Sequence, residues 1–376
     1  MKKLFIICIA FVGLLSSCDE NYNDVVVSID GYAIDWNAAA DSSTTSIITN
    51  FWNPTAQFFN DRTSGGNFQY WPQAHALDVL IDAYLRTNDA KYKTYFEQWY
   101  KGVPTANGGS FFNYLYDDME WNALTLLRLY NATNDAKYKT SVIAVWKDIQ
   151  TGWNDQGGGG IAWNKGDLWS KNACSNGPAC ILAARLFQQF GDVSDKEWAL
   201  KIYDWEKSVL YNPSNGAISD NLNAKTGVLS NYISTYNQGT FIGSAVELYK
   251  ITGEKTYLND AIKAANYTIN KLTSNRILNT EGNADLALFK GIFVRYFTQL
   301  IQTPGLDSAT KNRFVLFLKY NADKFWRNGM NKQYVICTSD WTKAPYFLSE
   351  TELNAQSSAC MLMEAAALLD KAGNFK

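Results

Sequence analysis

The stretch TNDAKYKT occupies residues 87–94 and recurs without a change at residues 133–140, 46 positions later. A weaker copy, TGEKTY, begins at Thr252. Each copy follows an apolar stretch with helical spacing and precedes an amphipathic one, which is the pattern of a helix, a short turn and a second helix. A repeated helix pair of this length predicts a helical repeat architecture.

Two sets of helical stretches alternate along the chain. One set is apolar on nearly all sides, as is typical of helices buried between two layers. These predicted inner helices are 72–86, 119–131, 177–190, 237–251, 285–302 and 354–371. Their predicted outer partners lie near 41–52, 90–100, 136–150, 195–209, 256–272 and 308–325. Six inner and six outer helices predict an all-α (α/α)6 toroid.

An open solenoid is the rival architecture. The last stretch is an inner helix, and its outer partner has to come from the first stretch, so a closed ring is the more economical arrangement. The predicted outer-to-inner connections are long and rich in Gly, Asn and aromatic residues. They are 60–71, 101–118, 151–176, 211–236 and 326–353. Because long loops carry function more often than short turns, we expect a cleft at the amino-terminal ends of the inner helices.

Composition excludes several classes of protein. The 376 residues include 34 Lys and Arg against 36 Asp and Glu, a net charge of −2, which argues against nucleic-acid binding. One histidine cannot form a His-rich metal site. The 13 Trp, 22 Tyr and 20 Phe would suit stacking against sugars, although aromatic residues also fill cores.

The first 35 residues resemble an export and tethering segment. Residues 1–17 combine a basic start with a 12-residue apolar run, which is too short to span a bilayer and typical of a signal peptide. LSSC at residues 15–18 resembles a lipobox, which predicts lipidation of Cys18. The alternative is a simple cleaved signal. We expect residues 18–35 to tether a domain at 36–376 to the outer membrane, on the cell surface or facing the periplasm.

Four cysteines fall within the predicted domain: Cys174, Cys180, Cys337 and Cys360. No CxxC spacing occurs, so a zinc or redox site is not expected. Buried free thiols are the simplest interpretation of all four.

Two adjacent acids, Asp117 and Asp118, begin the second inner helix on the predicted cleft side. Repulsion between such carboxylates would keep one protonated near neutral pH while the other stays ionised, as acid–base catalysis requires. The alternative is structural, because Asp117 and Glu120 have the spacing of a capping box.

Several other side chains of the predicted cleft could contact a sugar. Trp71, Trp163 and Tyr236 lie in or beside long loops and could be stacking platforms or core residues. His75 could contact a sugar hydroxyl or be a buried structural histidine. Asp220 is an isolated loop acid, which is either solvated or a ligand of substrate.

Seven short motifs together resemble glycoside hydrolase family 76, the α-1,6-mannanases with an (α/α)6 toroid. They are YWPQAHALD at 70–78, YDDMEW at 116–121, GIAWNK at 160–165, SNGP at 175–178, TYNQG at 235–239, FKGIF at 289–293 and QSSA at 356–359.

The resemblance implies retaining endo-hydrolysis of α-1,6-linked mannan, with Asp117 as nucleophile and Asp118 as general acid/base. It adds Asn176 to the candidate substrate-binding residues, and it implies no cofactor. We expect a monomer that acts on α-1,6-mannan or manno-oligosaccharides. The alternatives are a non-catalytic glycan-binding lipoprotein, a mannan transglycosylase of the same fold, and a toroid glycosidase for another polymer.

Overall fold

The computed structural model describes residues 32–346 and 351–375. The predicted signal segment, Cys18 and most of the predicted tether therefore lie outside the described residues. Within these ranges the outer helices are α1 (Trp36–Phe51), α3 (Lys91–Ala106), α5 (Ala136–Gln150), α7 (Val193–Val209), α9 (Lys255–Lys271) and α11 (Ser308–Lys324). The inner helices are α2 (Tyr70–Thr87), α4 (Tyr116–Thr133), α6 (Ala173–Phe190), α8 (Thr235–Thr252), α10 (Phe289–Gln302) and α12 (Leu353–Lys371).

The inner helices form a closed ring. Each packs against the next in chain order, and α12 packs against α2. The first outer helix, α1, covers the last inner helix, where Thr44 Oγ1 donates to Glu364 Oε1 at 2.9 Å. At the same junction the Trp36 and Phe375 rings meet edge to face at 5.7 Å. The (α/α)6 prediction is confirmed, and the open solenoid is excluded.

The repeated stretch ends one helix and starts the next. In the first copy Asn88 adopts a left-handed conformation with φ of 57°, and its N–H donates to Tyr84 O. The Thr87 hydroxyl donates to Ala83 O and accepts from Asp89 N–H. The copies at residues 133–135 and 252–254 form the same three bonds, with Asn and Gly in the left-handed position.

Close contacts between inner helices depend on glycine. A Cβ added to Gly239 would lie 2.6 Å from Phe293 Cα, and one on Gly291 would lie 2.6 Å from Ser358 Cα. Any larger residue there would push α8 from α10, or α10 from α12. The glycines of the TYNQG and FKGIF motifs therefore set the distances between α8, α10 and α12 in the ring.

The connections that lead into the inner helices are longer than the turns that leave them, as expected. These long connections also contain three short sheets, which the sequence pattern does not predict. Strands β1 (Trp52–Asn53) and β2 (Phe58–Phe59) pair, as do β6 (Thr273–Ser274) and β7 (Ile277–Leu278). Strands β3 (Ser170–Asn172), β4 (Asn221–Asn223) and β5 (Val228–Leu229) form a sheet that joins two neighbouring long loops. The fifth predicted inner helix starts late, because residues 284–288 form a 3₁₀ turn before Phe289.

An ion-pair cluster occupies the ring near the carboxyl-terminal ends of the inner helices. It consists of Asp78, Asp82, Arg86, Arg128, Arg185, Glu247, Arg295 and Glu364. Its pairs join α2 to α4, α10 and α12, and α6 to α8. Burial raises the pKa of Asp82, but Arg128 and Arg295 outweigh burial and hold that pKa below its ordinary value. A cavity of about 380 Å³ opens there, and its four arginines are all ion-paired.

The four cysteines of the described domain are free thiols, three of them buried and Cys174 half-buried. None of the helices in residues 32–346 and 351–375 is long and apolar enough to cross a membrane. The same residues contain no group of three or more His, Cys, Asp and Glu side chains that could hold a metal ion.

We predict that Arg128→Ala lowers the free energy of unfolding by about 3–5 kcal/mol, because it leaves the carboxylates of buried Asp78 and half-buried Asp82 short of positive charge. Urea unfolding followed by circular dichroism measures the loss. Lys137→Ala is the matched control. Its pairs with Glu97 and Asp135 are exposed, so it should cost less than about 1 kcal/mol. Equal losses in the two variants would contradict a special role for the cluster.

Candidate active site

The first turn of α4 presents the paired acids. Asp117 and Asp118 are half-buried and lie inside the helix, after the extended N-cap residue Leu115. Leu115 makes no side-chain capping bond, and Glu120 is buried with no hydrogen-bond partner among the described residues. The capping-box interpretation is therefore wrong, because Asp117 lies past the cap.

A neighbouring loop holds this turn and positions one acid. Tyr116 N–H donates to Trp163 O at 3.0 Å, and Lys165 N–H donates to Tyr114 O at 3.1 Å. The two segments run antiparallel, and they bring the Trp163 indole to the acids. Trp163 Nε1 donates to Asp117 Oδ2 at 3.2 Å. Asp117 Oδ1 is left buried without a hydrogen-bond partner in the described part of the chain.

The structure gives Asn176 a different role from the predicted sugar contact. Asn176 is fully buried in α6, and its amide pairs with the backbone of Ile161. Its Oδ1 accepts from Ile161 N–H at 2.8 Å, and its Nδ2 donates to Ile161 O at 3.0 Å. Asn176 thus fixes the segment that carries Trp163, two residues further along.

The acids differ in how strongly their surroundings oppose ionisation. Burial raises the pKa of Asp117 to about 6, while the nearby Cys174 thiol, the backbone N–H groups and the Trp163 indole favour the ionised form. Burial also raises the pKa of Asp118, and the charges of Asp117 and Asp285 raise it further, to well above its ordinary value. At neutral pH this arrangement favours an ionised Asp117 beside a protonated Asp118.

A third acid of α4 is kept neutral beneath the pair. Burial raises the pKa of Glu120 well above its ordinary value, and Asp117, Asp118 and Glu206 raise it further. Glu206, on α7, is also fully buried, and burial raises its pKa to about 8. These groups add no negative charge near Asp117 at neutral pH.

Aromatic rings form the floor of the site. The His75 ring lies between Trp71 and Trp121, with centroids 5.3 and 4.5 Å away. Trp121 Nε1 donates to the Tyr236 hydroxyl at 3.0 Å. His75 and Tyr236 are buried, so the structure places both beneath the cleft surface. Burial lowers the pKa of His75, Arg295 lowers it further, and the ring is therefore neutral.

The other predicted residues lie on the cleft walls. Trp163 is 37% exposed, and Trp71 is half-buried. Asp220 is half-buried just before β4, and its carboxylate accepts from Asn221 Nδ2 at 2.8 Å and from Asn237 Nδ2 at 3.2 Å. The structure therefore brings Asp117, Asp118, Trp71 and Trp163 together at one mouth, with Asp220 on the side of Cys174, whose pKa it raises.

The sequence analysis missed one acidic residue of this mouth. Asp285 lies on the 3₁₀ turn before α10, and its Oδ1 accepts from Trp71 Nε1 at 3.0 Å. The sequence pattern predicts the start of a helix at residue 285, and nothing in that pattern links it to Trp71. Cys174, which interacts with Asp117, was expected only as a buried thiol.

Comparison with known proteins gives consistent matches. A model of glycosyl hydrolase family 76 matches residues 35–375. The α-1,6-mannanase GH76A from Salegentibacter sp. HEL1_6 is 40% identical with a TM-score of 0.86, and the match covers 89% of this chain and 100% of that one.

A second structure of that enzyme, with the same coverage, identity and TM-score, is an inactive variant in complex with α-1,6-mannotriose. In it two consecutive aspartates are replaced by asparagine. The mannan endo-1,6-alpha-mannosidase DCW1 of Candida glabrata is 30% identical over 198 residues. That match covers 48% of this chain and 43% of the yeast protein, so the chain spans less than half the length of this curated relative.

Proposed function

Because the chain belongs to glycoside hydrolase family 76, we propose that it is a retaining endo-α-1,6-mannanase that cuts the backbone of fungal-type mannan. The observation that carries the proposal is the pair Asp117 and Asp118 in the first turn of an inner helix, with opposite preferences for the proton. The sequence contains no other pair of consecutive aspartates. The similar Salegentibacter enzyme is inactive when two consecutive aspartates are replaced.

In the first step Asp117 is the nucleophile. The Trp163 indole holds Oδ2 of this carboxylate, and the ionised carboxylate forms a bond to the anomeric carbon of mannose. The bond from that carbon to the leaving oxygen breaks, and protonated Asp118 gives its proton to the leaving oxygen. The products of this step are a shortened mannan with a free hydroxyl and a mannosyl ester on Asp117.

In the second step Asp118 acts as a base. Ionised Asp118 takes a proton from water while the water oxygen attacks the anomeric carbon, and the ester bond to Asp117 breaks. Asp117 returns to its ionised form and Asp118 to its protonated form. Two displacements at one carbon retain its configuration.

The surroundings of the pair suit a neutral polyol. The Trp71 and Trp163 rings provide flat apolar faces, and the carboxylate of Asp220 can accept hydrogen bonds from sugar hydroxyls. A closed ring buries the inner helices within one chain, and we propose that the protein acts as a monomer.

Two of the alternatives, the glycan-binding protein and the transglycosylase, make different demands on these residues. A non-catalytic glycan-binding protein has no use for two acids whose pKa values are raised by burial, since buried acids cost stability. A transglycosylase would use the same first step and pass the mannosyl group to a sugar hydroxyl instead of water. Product analysis separates both rivals from a hydrolase.

We predict that wild-type protein converts unbranched α-1,6-mannan to a ladder of oligosaccharides, and that Asp117→Asn and Asp118→Asn each lower the rate by at least about a thousandfold. Chromatography of timed digests measures this. Asp204→Asn, at an exposed carboxylate on the outer helix α7, is the matched control and should keep full activity. Mannan that is bound but never shortened would favour the binding protein, and products longer than the substrate would favour the transglycosylase.

The activity should fall below about pH 6, because burial raises the pKa of Asp117 to about 6 and its ionised form is the nucleophile. The Trp163 indole favours that ionised form, so Trp163→Phe should raise the pKa of Asp117 and move the acidic limb of kcat/KM to higher pH. Initial rates between pH 4 and 9 test this (on the order of ten points, buffered at constant ionic strength). An acidic limb that stays in place would contradict the assigned role of Trp163.

We further propose that Cys18 carries lipid and anchors the enzyme to the outer membrane, on the cell surface. The support is the lipobox-like LSSC at residues 15–18 and the polar stretch after it. Labelled palmitate should be incorporated by wild type and by Cys360→Ser but not by Cys18→Ser. Protease treatment of intact cells should release the enzyme from the cell surface. Light scattering of the released protein should give the mass of a monomer. Label on Cys18→Ser would overturn the anchor, and resistance to protease would favour a periplasmic face.

A further inference from the structure

Asp285 occupies a position at the cleft that the reaction described above does not use. It is exposed on the 3₁₀ turn 284–288, and its Oδ1 accepts from Trp71 Nε1 at 3.0 Å. The arrangement resembles the one at Asp117, where a second cleft tryptophan, Trp163, donates its indole N–H to a carboxylate.

The backbone before Asp285 is held in a costly conformation. Ala284 has a φ of 53°, in the left-handed region, which is unfavourable for a residue with a side chain. Its N–H donates to Glu352 Oε2 at 2.7 Å, and its carbonyl accepts from Asn354 Nδ2 at 3.0 Å. Residues at the start of α12 thus bond to both the N–H and the carbonyl of Ala284, and they fix the position of Asp285.

We propose that Asp285 is a positioning residue of this active site: its carboxylate accepts the Trp71 indole N–H and holds that ring in place for a sugar. Its negative charge also acts on Asp118 and helps to keep the proton there. This inference rests on the mannanase function proposed above. It explains why a strained turn is kept beside the cleft, and it assigns Trp71 and Asp285 to one unit although they lie far apart in the chain.

The other groups around Asp118 leave room for this effect. On α4 these are Asp117 and Glu120, on α2 the Tyr70 hydroxyl, and on α6 the Cys174 thiol beside Asp117. Burial raises the pKa of Glu120, Tyr70 and Cys174 well above their ordinary values, so these three groups are neutral at pH 7. The charged neighbours that act on Asp118 are therefore Asp117 and Asp285.

The two charges behave differently during the reaction. Asp117 loses its charge when it forms the ester with mannose, whereas Asp285 forms no covalent bond and keeps its charge. In the first step both charges hold the proton on Asp118. In the second step Asp285 remains, and it makes Asp118 a stronger base towards water, because a negative neighbour favours uptake of a proton.

Two substitutions separate the two parts of the role. Asp285→Asn keeps an oxygen that can accept from Trp71 Nε1 but removes the charge. For this variant, the alkaline limb of the kcat/KM profile should move to lower pH. At one pH unit above the wild-type alkaline midpoint, its kcat/KM should be about threefold or more below that of wild type. Its KM should change little. Trp71→Phe removes the N–H donor and keeps the charge, so KM should rise about fivefold with the alkaline limb unmoved.

The measurement is a set of pH–rate profiles on unbranched α-1,6-mannan for wild type and the two variants. Asp204→Asn, the same chemical change on the outside of the ring, is the control and should leave the profile unchanged. Circular dichroism confirms that each variant is folded. If Asp285→Asn keeps the wild-type alkaline limb, or if Trp71→Phe keeps the wild-type KM, the inference is overturned. If wild type does not cut mannan at all, the proposed function fails instead.

Discussion

Closure of the helix ring is the constraint on which the rest of the structure depends. The inner helices all run in the same direction, because each is followed by an outer helix that returns along the outside. Closure then requires α12 to meet α2, and the pair of Arg86 and Glu364 is part of that contact. Six amino-terminal ends are thereby collected at one mouth, together with every long loop. Within residues 32–346 and 351–375, the charges that act on Asp118 are those of two other acids, Asp117 and Asp285.

The chemistry of the site follows from a competition between burial and hydrogen bonding. Burial raises the pKa of both acids, but only Asp117 receives the Trp163 indole and the Cys174 thiol, which favour its charge. Asp118 faces two other carboxylates and keeps its proton. The difference between two neighbouring residues of the same type therefore comes from loops far apart in the chain. The loop with Trp163 is itself held by Asn176, so a buried amide with no access to substrate supports the nucleophile.

The helices and the paired acids could be predicted because their signals are local. The repeated TNDAKYKT stretch contains the residues that end and start helices, and the alternation of apolar and amphipathic stretches predicts twelve helices in the order that residues 32–346 and 351–375 show. Contacts between distant segments left no such signal. Trp71 and Asp285 are 214 residues apart. The amide of Asn176 bonds to both the N–H and the carbonyl of Ile161, and no sequence pattern predicts these bonds. His75 could be placed near the mouth, but its burial depends on the rings of Trp71 and Trp121.

The most direct test of this account is to follow the two carboxyl groups themselves. Protein labelled with ¹³C at the aspartate side-chain carbonyl can be titrated by NMR, with Asp117→Asn and Asp118→Asn used to assign the two signals. The account predicts that Asp117 titrates near pH 6, where burial has raised its pKa to about 6, while Asp118 stays protonated well above that pH. Two signals that both titrate near 4, the ordinary value for aspartate, would contradict it.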